Sequence, residues 1–593
     1  MNLKKKYLLL SSLALALFTG CEDDNKDDKD ELIGYEEEDF EGDIEGGFRL
    51  IEEDSWSKNT VNKILNTFTY GIVASQEQIE AWVDMPPEEA IEEIITMDGF
   101  NKKLRNRENT FLTEEEDKLE YILQEASVRY PNSAFNFNAR LTNGELLSVL
   151  IMDNTNYNPT RLKVGLWETN YHQVINSKVD ALFSFNVYHY FDDIVEGIEN
   201  NIGYQNILSK SATSSPIMYM YKQFENKFTN NKLSVNDDFA REYNQLFFGI
   251  LGKNDLAYYE DVTIENTARA LTGIDANYDS YTTINGEETL SAPSYYIKEN
   301  AGNHYHGMLE ILGEFISHSG VKEALEEIAR IAITKNESIK NLPVMIINGL
   351  ADSNLENNSN TTQRIINEWK ENVNHPDLLS FIRKYAISKE FHSETRLKYL
   401  SSLDRLMKTY NLLNFEGKKP YSYTKLIQEL EKENYKIFFP AKGVFGNLTG
   451  EDIINNSNII SAFYNRAANQ EYSGIYPGMD FSKMIDKDID NNVKDITEFI
   501  WNRFVGDNLK NFGQMERLHI YSLLLYGKNY NDYIQSDIDY TEEYIESDID
   551  TGNKIIDMSE EYIDINTTNI KRNLKYVTNF VLGLPFMWFE EGK

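Results

Sequence analysis

Two histidines one residue apart, His304 and His306, come nearest in this sequence to a catalytic or metal-binding pattern. On a strand both rings would face the same side, and Glu299 and Glu310 lie close to them in sequence. Such a set could bind zinc or iron and serve a metal-assisted hydrolase. No third ligand at a characteristic spacing accompanies the pair, so histidines of a polar loop are the simpler interpretation. We therefore expect no metal and no other cofactor.

Arg241, Glu242 and Arg269 form a second charged group. The two arginines are suited to clamp a carboxylate or sulfate group of a ligand, with Glu242 orienting one of them. An ion pair between packed helices accounts for the same residues without a ligand. The sequence leaves both interpretations open.

The patterns of covalent catalysis give no support to an enzyme. The chain has no Gly-x-Ser-x-Gly sequence, no glycine-rich phosphate loop and only one cysteine, Cys21. Among 96 acidic residues, no carboxylate pair stands out for glycoside hydrolysis. The sequence therefore favours a protein without enzymatic activity.

Cys21 follows a segment typical of export signals. Three lysines, Lys4 to Lys6, precede an apolar stretch over residues 7–18, which is too short to span a bilayer of roughly 30 Å. The segment "LFTGC" (17–21) resembles the lipobox of bacterial lipoproteins, in which the cysteine is acylated and becomes the first residue. On that resemblance, residues 1–20 are a signal peptide and Cys21 carries the lipid that holds the protein to a membrane.

An acidic segment follows the cysteine. Residues 22–45 contain fourteen acidic residues and two lysines, so their charges repel one another and favour an extended chain. We expect residues 21–48 to form a disordered stalk that holds the body off the membrane, at the outer membrane or cell surface. A plain spacer in the periplasm is the alternative. The formal net charge of −38 argues against nucleic acid as a partner.

The body over residues 49–593 has mainly helical patterning. Apolar residues recur at helical spacing in "VNKILNTFTYGI" (61–72), "PEEAIEEII" (87–95), "VKEALEEIARIAI" (321–333) and "LLSFIRKYAI" (378–387). Runs with strand periodicity are few. We predict a mainly α fold, one large multi-helix domain with polar loop insertions at 349–363 and 531–563.

Two helices are predicted in more detail. In "NDDFAREYNQLFFGILG" (236–252), Asn236 suits an N-cap, and an aromatic stripe follows it. In "EDVTIENTARALTGI" (260–274), Ile264, Ala268 and Leu271 share one face, and Gly273 suits a left-handed helix end.

These two segments together resemble the bacterial family named domain of unknown function 1800. Further segments agree with that family in order, from about residue 55 to 590: "KILNTFTYGIVASQEQIEAW" (63–82), "RLKVGLWETNYHQV" (161–174), "HYHGMLEILG" (304–313), "PAKGVFGNLTGEDI" (440–453) and "NIKRNLKYVTNFVLGLPFMWFEE" (569–591). The resemblance implies an exported, mostly helical protein with no established activity. It implies a motif site of seven residues: Asn236, Arg241, Glu242, Arg269, Thr272, Gly273 and His304.

This chain departs from the family pattern at several of its motifs. Where many members carry His-Asn-His after the tryptophan, this chain has Glu168, Thr169 and Asn170. Where they carry His-Asp-Pro-Gly-Pro-Lys, only His304 and Gly307 agree. Chemistry carried by those positions in relatives is therefore in doubt here.

We expect a lipid-anchored envelope or cell-surface lipoprotein with a non-enzymatic role, which binds or presents an extracellular polymer or a partner protein. A hydrolase that uses His304 and nearby acids is one alternative. A glycan-binding lipoprotein of nutrient uptake is another, because aromatic residues make up 12% of the chain and tyrosine or tryptophan can stack on sugar rings.

The native protein is predicted to carry acyl chains on Cys21 and to need detergent for its extraction from membranes, because these chains bury in lipid. Mass spectrometry of the amino-terminal peptide measures the modification directly. An unmodified amino terminus, or release in buffer alone, would contradict the predicted anchor.

Overall fold

Helices predominate in the part of the chain that the structure, a computed structural model, describes. That part comprises residues 44–71, 74–97, 158–176, 184–252, 259–282, 289–415, 423–440, 442–469, 478–530 and 552–591. Cys21, the predicted signal peptide and nearly all of the predicted stalk lie outside these residues.

The helices begin where a capping side chain precedes an amphipathic run. Ser75 and Ser401 form capping boxes, and the side chains of Asn158, Asp377 and Asn492 also accept backbone N–H groups. In the first half of the chain the helices are Lys58–Phe68, Gln76–Val83, Pro87–Ile94, Pro159–Trp167, Ser184–Glu199, Tyr204–Ala212, Ser215–Met220, Asp238–Glu242 and Glu265–Ala270. In the second half they are Val321–Ala332, Asn336–Leu350, Ser359–Glu371, Leu378–Ala386, Ser402–Leu413, Tyr423–Lys432, Glu451–Asn455, Ser457–Ala468, Val493–Phe504, Gln514–Tyr526 and Thr568–Leu582.

The predicted mainly α fold is confirmed. All four segments with helical patterning contain helices, and the apolar stripe of the first one, Val61, Ile64, Leu65 and Phe68, is buried. Contacts group Phe40–Lys593 as one compact unit, as expected for a single large domain. None of the helices in the described ranges has the length and apolar character needed to cross a membrane.

The prediction of a polar loop at 349–363 is wrong for the second half of that segment. The Ser359–Glu371 helix begins there, because Asn358 caps the N–H of Thr361 and the helix buries Ile365 and Trp369. In the insertion predicted at 531–563, residues 531–551 lie outside the described part. The prediction of a loop is wrong for part of its remainder: residues 552–557 are α-helical and Met558–Glu560 form a 3-10 helix, after which Ile563 N–H donates to the carbonyl of Asn491 at 2.8 Å.

The sequence missed three π-helical segments: Glu168–His172, Tyr243–Phe247 and Tyr259–Ile264. The first continues the Pro159–Trp167 helix, and the other two lie within the two helices that were predicted in detail. A π-turn adds a residue to the helical repeat, shifts which side chains face the core, and is frequent at functional sites.

The strands of the described part form short antiparallel pairs. They are Lys227–Thr229 with Lys232–Ser234, Ile274–Asp275 with Lys298–Glu299, Tyr278–Thr282 with Thr289–Pro293, Leu309–Ile311 with Glu314–Ile316, and Leu397–Tyr399 with Phe589–Glu591. In the last pair Glu590 lies opposite Lys398. This pairing therefore brings two charged residues into the interior from distant parts of the chain.

Residues 44–48, at the end of the predicted stalk, already pack on the body. The Phe48 ring lies 5.5 Å from that of Phe381 and 5.4 Å from that of Tyr385, centroid to centroid. The Phe48 N–H donates to Glu368 at 3.1 Å, and the Asn367 amide donates to the carbonyl of Ile44 at 2.8 Å.

Gly349→Ala is expected to destabilise the protein, because an added Cβ would lie 1.9 Å from Nε1 of the buried Trp167. Overpacking of this kind costs about 1–3 kcal/mol of unfolding free energy. Denaturant unfolding followed by tryptophan fluorescence measures it. Gly302→Ala is the control, since Gly302 is exposed and its Cβ would meet only the Asn300 side chain, at 3.3 Å; equal stabilities of the two variants would contradict the packing argument.

Candidate functional site

Three of the seven residues in the motif site implied by the family resemblance, Thr272, Gly273 and His304, lie together. The Nδ1–H of His304 donates to the carbonyl of Thr272 at 2.6 Å, and the Thr272 hydroxyl accepts the N–H of Tyr305 at 2.9 Å. Gly273 has φ +86°, and a Cβ there would lie 2.9 Å from the Cα of His304. Glycine at this helix end therefore permits the approach of His304, as its position in the sequence indicated.

His304 has a partner that sequence reasoning missed, His318. Nε2 of His304 lies 2.9 Å from Nδ1 of His318, and it accepts this hydrogen bond because its own Nδ1 carries the proton. Burial lowers the pKa of His304 and lowers that of His318 to about 4, so both rings are neutral near pH 7. No spacing signal marks His318, which lies fourteen positions further along the chain.

His306, the second histidine of the pair, is exposed, and its Nε2 donates to the carbonyl of Ala301 at 2.9 Å. His304 and His306 lie in a loop, as expected, and Glu299 accepts the N–H of Lys322 at 2.7 Å. Within the described residues, no cluster of three or more His, Cys, Asp or Glu side chains is arranged to hold a metal ion.

Asn236 joins the motif site through Asn226. The side chain of Asn226 accepts the N–H of Asn236 at 2.7 Å, while the carbonyl of Asn226 accepts the N–H of Gly273 at 3.0 Å. Asn236 is not the N-cap; Asp237 is, and the Asn236 side chain accepts the N–H of Asp238 at 2.9 Å. Asn226 therefore accepts a backbone N–H from the start of one predicted helix and another from the end of the second, and so links the two helices.

Arg241 and Arg269 each bind nearby carboxylates or amides. Arg241 contacts Glu260 at 2.6 Å and Asp237 at 3.1 Å, and the first contact joins the two predicted helices. Arg269 contacts Glu265 and donates to Asn266 at 2.7 Å. These contacts favour the ion-pair interpretation over a ligand clamp.

Glu242 does not orient either arginine through a hydrogen bond within the described part of the chain. Burial raises the pKa of its carboxyl to about 7; the charge of Arg241 opposes this rise and that of Asp238 adds to it. The motif site therefore divides into a hydrogen-bonded cluster around Gly273 and two half-exposed arginines held by acids.

A second site lies at a small pocket that is partly open to solvent. We call it the lysine pocket. Its wall contains Tyr70, Lys163, Leu166, Trp167, Tyr171, Gly349, Leu350, Lys398, Tyr399, Ser401, Leu403, Asp404, Tyr435, Leu448, Thr449, Gly450 and Ile453.

The charged groups of the lysine pocket are two lysines and one aspartate. Lys163 Nζ lies 3.0 Å from Asp404 and 5.0 Å from the centre of the Tyr70 ring. Lys398 Nζ donates to the carbonyls of Asn348 and Gly349 at 3.0 and 2.6 Å. These carbonyls belong to the end of the Asn336–Leu350 helix, which attracts a cation.

Burial and charge set the protonation of this site. Burial lowers the pKa of Lys398 to about 8, against the opposing attraction of Asp404. Burial alone would raise the pKa of Asp404, but the ammonium groups of Lys163 and Lys398 and the hydroxyl of Ser401 hold it below its usual value. At neutral pH the Lys398 side chain is therefore mostly an ammonium group and Asp404 is a carboxylate.

Two of the segments that carried the family resemblance meet at the lysine pocket. Segment 161–174 supplies Lys163, Trp167 and Tyr171, and segment 440–453 supplies Leu448, Thr449, Gly450 and Ile453. The Asn170 carbonyl accepts the N–H of Asn447 at 3.2 Å, and a Cβ on Gly446 would lie 2.6 Å from it. Glycine is therefore needed at position 446 for this close contact.

A buried network lies behind Trp167. Glu168 accepts hydrogen bonds from Tyr204 at 2.6 Å and Gln173 at 2.7 Å, and its carboxylate lies 2.8 Å from Nδ1 of His172. Nε2 of His172 donates to the carbonyl of Phe247 at 3.1 Å, and Trp167 stacks on the His172 ring. Because all four polar side chains are at most 1% exposed, we assign them to structure.

Comparison with known proteins gives one result. The family model described as protein of unknown function (DUF1800) matches residues 63–512, which is more than half of the chain. Neither the curated proteins nor the solved structures contain a significant match.

Glu242→Gln is expected to raise the melting temperature at pH 8 and to leave it unchanged at pH 4. The carboxyl has a folded-state pKa of about 7, above its usual value of 4.5, so the stability it contributes is present below pH 4.5 and lost as the pH rises through 7. Differential scanning calorimetry across this range measures the effect. Glu356→Gln, at an exposed carboxylate, should change little; a pH-independent shift in Glu242→Gln would contradict the burial argument.

Proposed function

The chain belongs to the DUF1800 family, and we propose that this member is a lipid-anchored lipoprotein of the envelope or cell surface that binds the acidic groups of an extracellular polysaccharide. The lysine pocket is the binding site in this proposal. The role is one of binding without turnover of the ligand.

One observation carries this proposal: two buried ammonium groups lie at the wall of a pocket, and while that of Lys163 pairs with Asp404 at 3.0 Å, that of Lys398 donates to backbone carbonyls. Both lysines are about 5% exposed, so water neutralises their charge poorly. An anionic group of a ligand would supply the missing charge. The protein otherwise has a formal net charge of −38, so this local positive excess is opposite to the general character of the chain.

The remaining wall suits a ring-shaped ligand that carries the acid. Tyr70, Tyr171 and Tyr435 line the pocket together with the lysines, and tyrosine presents both an apolar face and a hydroxyl. The rings of Tyr171 and Tyr435 contact each other at 6.5 Å, centre to centre, and are tilted by 55°. A uronate residue of a polysaccharide has the required carboxylate, hydroxyls and apolar ring face.

The geometry favours binding over the hydrolase alternative. Both nitrogens of His304 are held in hydrogen bonds, to the carbonyl of Thr272 and to His318, so neither is open to a substrate. The nutrient-uptake alternative would use the same pocket. It differs in that the bound glycan would be passed on to another protein. The lipobox resemblance around Cys21 and the acidic segment after it support a position outside the membrane.

Lys398→Met is expected to weaken binding of a uronate oligosaccharide by about 10- to 100-fold, because a charge-assisted hydrogen bond contributes about 1.5–3 kcal/mol. Isothermal titration calorimetry with the detergent-solubilised protein measures the affinity. The wild type should also lose affinity as the pH rises through about 8, where Lys398 loses its proton.

Lys398→Arg and Lys232→Met are the matched controls. Arginine keeps its charge above pH 8, so the pH step should disappear while affinity is retained. Lys232 is exposed on a strand away from the pocket wall, and its loss should change nothing. Equal binding of the oligosaccharide and its carboxyl-reduced neutral form, or release of cleaved products, would contradict the proposal.

A further inference from the structure

A second pocket lies beside the Leu397–Tyr399 and Phe589–Glu591 strand pair. We call it the arginine pocket. Its wall contains Lys63, Asn66, Thr67, Arg396, Val505, Gly506, Asp507, Asn511, Phe586, Phe589, Glu590 and Glu591. It shares no residue with the lysine pocket.

Arg396 gives this pocket an open hydrogen-bond donor. The side chain is 1% exposed; Nη1 donates to the carbonyl of Ala351 at 2.8 Å and Nη2 to that of Glu591 at 3.1 Å. The guanidinium also stacks on Phe391, 4.4 Å from the ring centre. Its Nε is buried and has no hydrogen-bond partner in the described part of the chain. A buried donor without an acceptor is unfavourable, so a ligand acceptor would stabilise it.

Two amide side chains face the same space. Asn66 and Asn511 line the pocket and are half-buried, and neither amide makes a side-chain hydrogen bond within the described residues. Each amide offers both a donor and an acceptor. Together with Arg396, they form three open polar groups on one wall.

The acids of the pocket are fixed in position by their own partners. Asp507 accepts the indole N–H of Trp501 at 2.7 Å and the N–H of Asn511 at 2.9 Å. Glu590 accepts the hydroxyl of Thr67 at 2.8 Å and pairs with Lys408 at 3.0 Å. Each carboxylate keeps further lone pairs for hydroxyl donors.

The acids of the wall are balanced by ion pairs. Glu590 and Glu591 each pair with a lysine outside the lining, Lys408 at 3.0 Å and Lys510 at 2.6 Å. The wall therefore has no negative excess, and the choice of a neutral ligand rich in hydroxyl groups rests on the uncharged amides of Asn66 and Asn511.

Apolar faces complete the arrangement. Phe586 and Phe589 line the pocket and are each half-buried, and Phe586 packs on Trp501 with ring centres 5.4 Å apart. Rigid aromatic faces beside amides and carboxylates are suited to a ring that is apolar on its face and bears hydroxyls at its edge.

We propose that the arginine pocket binds a neutral sugar ring, with Arg396 Nε, Asn66 and Asn511 holding its oxygens and the two phenylalanines contacting its face. The protein would then have two carbohydrate subsites, one for an acidic sugar and one for a neutral sugar. This inference is independent of the lysine pocket, because it rests on other residues and another ligand class.

Asn511→Ala is expected to weaken sugar binding by about 3- to 10-fold, the loss that corresponds to one neutral hydrogen bond. The probes are glucose, galactose, mannose and xylose, titrated into the full-length protein and followed by saturation-transfer NMR. The detergent used must have no sugar head group. Asn66→Ala tests the second amide in the same way.

Asn502→Ala is the matched control, because Asn502 is exposed on the neighbouring Val493–Phe504 helix and outside the pocket wall. It should bind as the wild type does. The inference is overturned if none of the four sugars saturates the wild type, or if Asn511→Ala and Asn66→Ala both retain full affinity.

Discussion

The interior of this protein depends on the mutual neutralisation of charges that lie away from water. Lys163 pairs with Asp404 and Lys408 with Glu590, both at 3.0 Å, and Lys398 lies opposite Glu590 in a strand pair. Removal of one member of a buried pair leaves the other uncompensated, at a cost of about 3–5 kcal/mol. Helices and strands must therefore meet here in one arrangement. We call these buried ion pairs the charged layer. The charged layer permits fewer alternative arrangements of the chain than the apolar core around it, where one aliphatic side chain can replace another.

The same charged layer accounts for the placement of the two pockets. Lys163, Lys398 and Asp404 line the lysine pocket, while Glu590 and Arg396 line the arginine pocket. Each pocket thus draws its polar groups from a network that is rigid because it is buried. Side chains held in this way lose little conformational freedom when a ligand arrives, which favours specific binding. The cluster around Gly273 and His304 differs, since its polar groups are used within the protein.

The sequence predicts the helical part of the fold well, because burial of an amphipathic stripe such as Val61, Ile64, Leu65 and Phe68 is a local property. It also indicates Gly273, since a helix end in the left-handed region is local as well. It does not predict the π-helical segments, which shift the register by one residue, or the pairing of His304 with His318. The sequence does not predict the lysine pocket, because Lys163, Lys398 and Asp404 come from separate elements. Only the family motifs at 161–174 and 440–453 pointed to that region.

The strand pair of Leu397–Tyr399 with Phe589–Glu591 has a consequence for how the chain reaches its native state. Glu590 takes a hydrogen bond from Thr67, 523 positions away, and neutralises Lys408, 182 positions away. Until residues 589–591 have been synthesised, Lys408 lacks the carboxylate that it pairs with in the native state, and the Thr67 hydroxyl lacks its acceptor. The central charge pairing of the fold is therefore completed only when this late segment has been made.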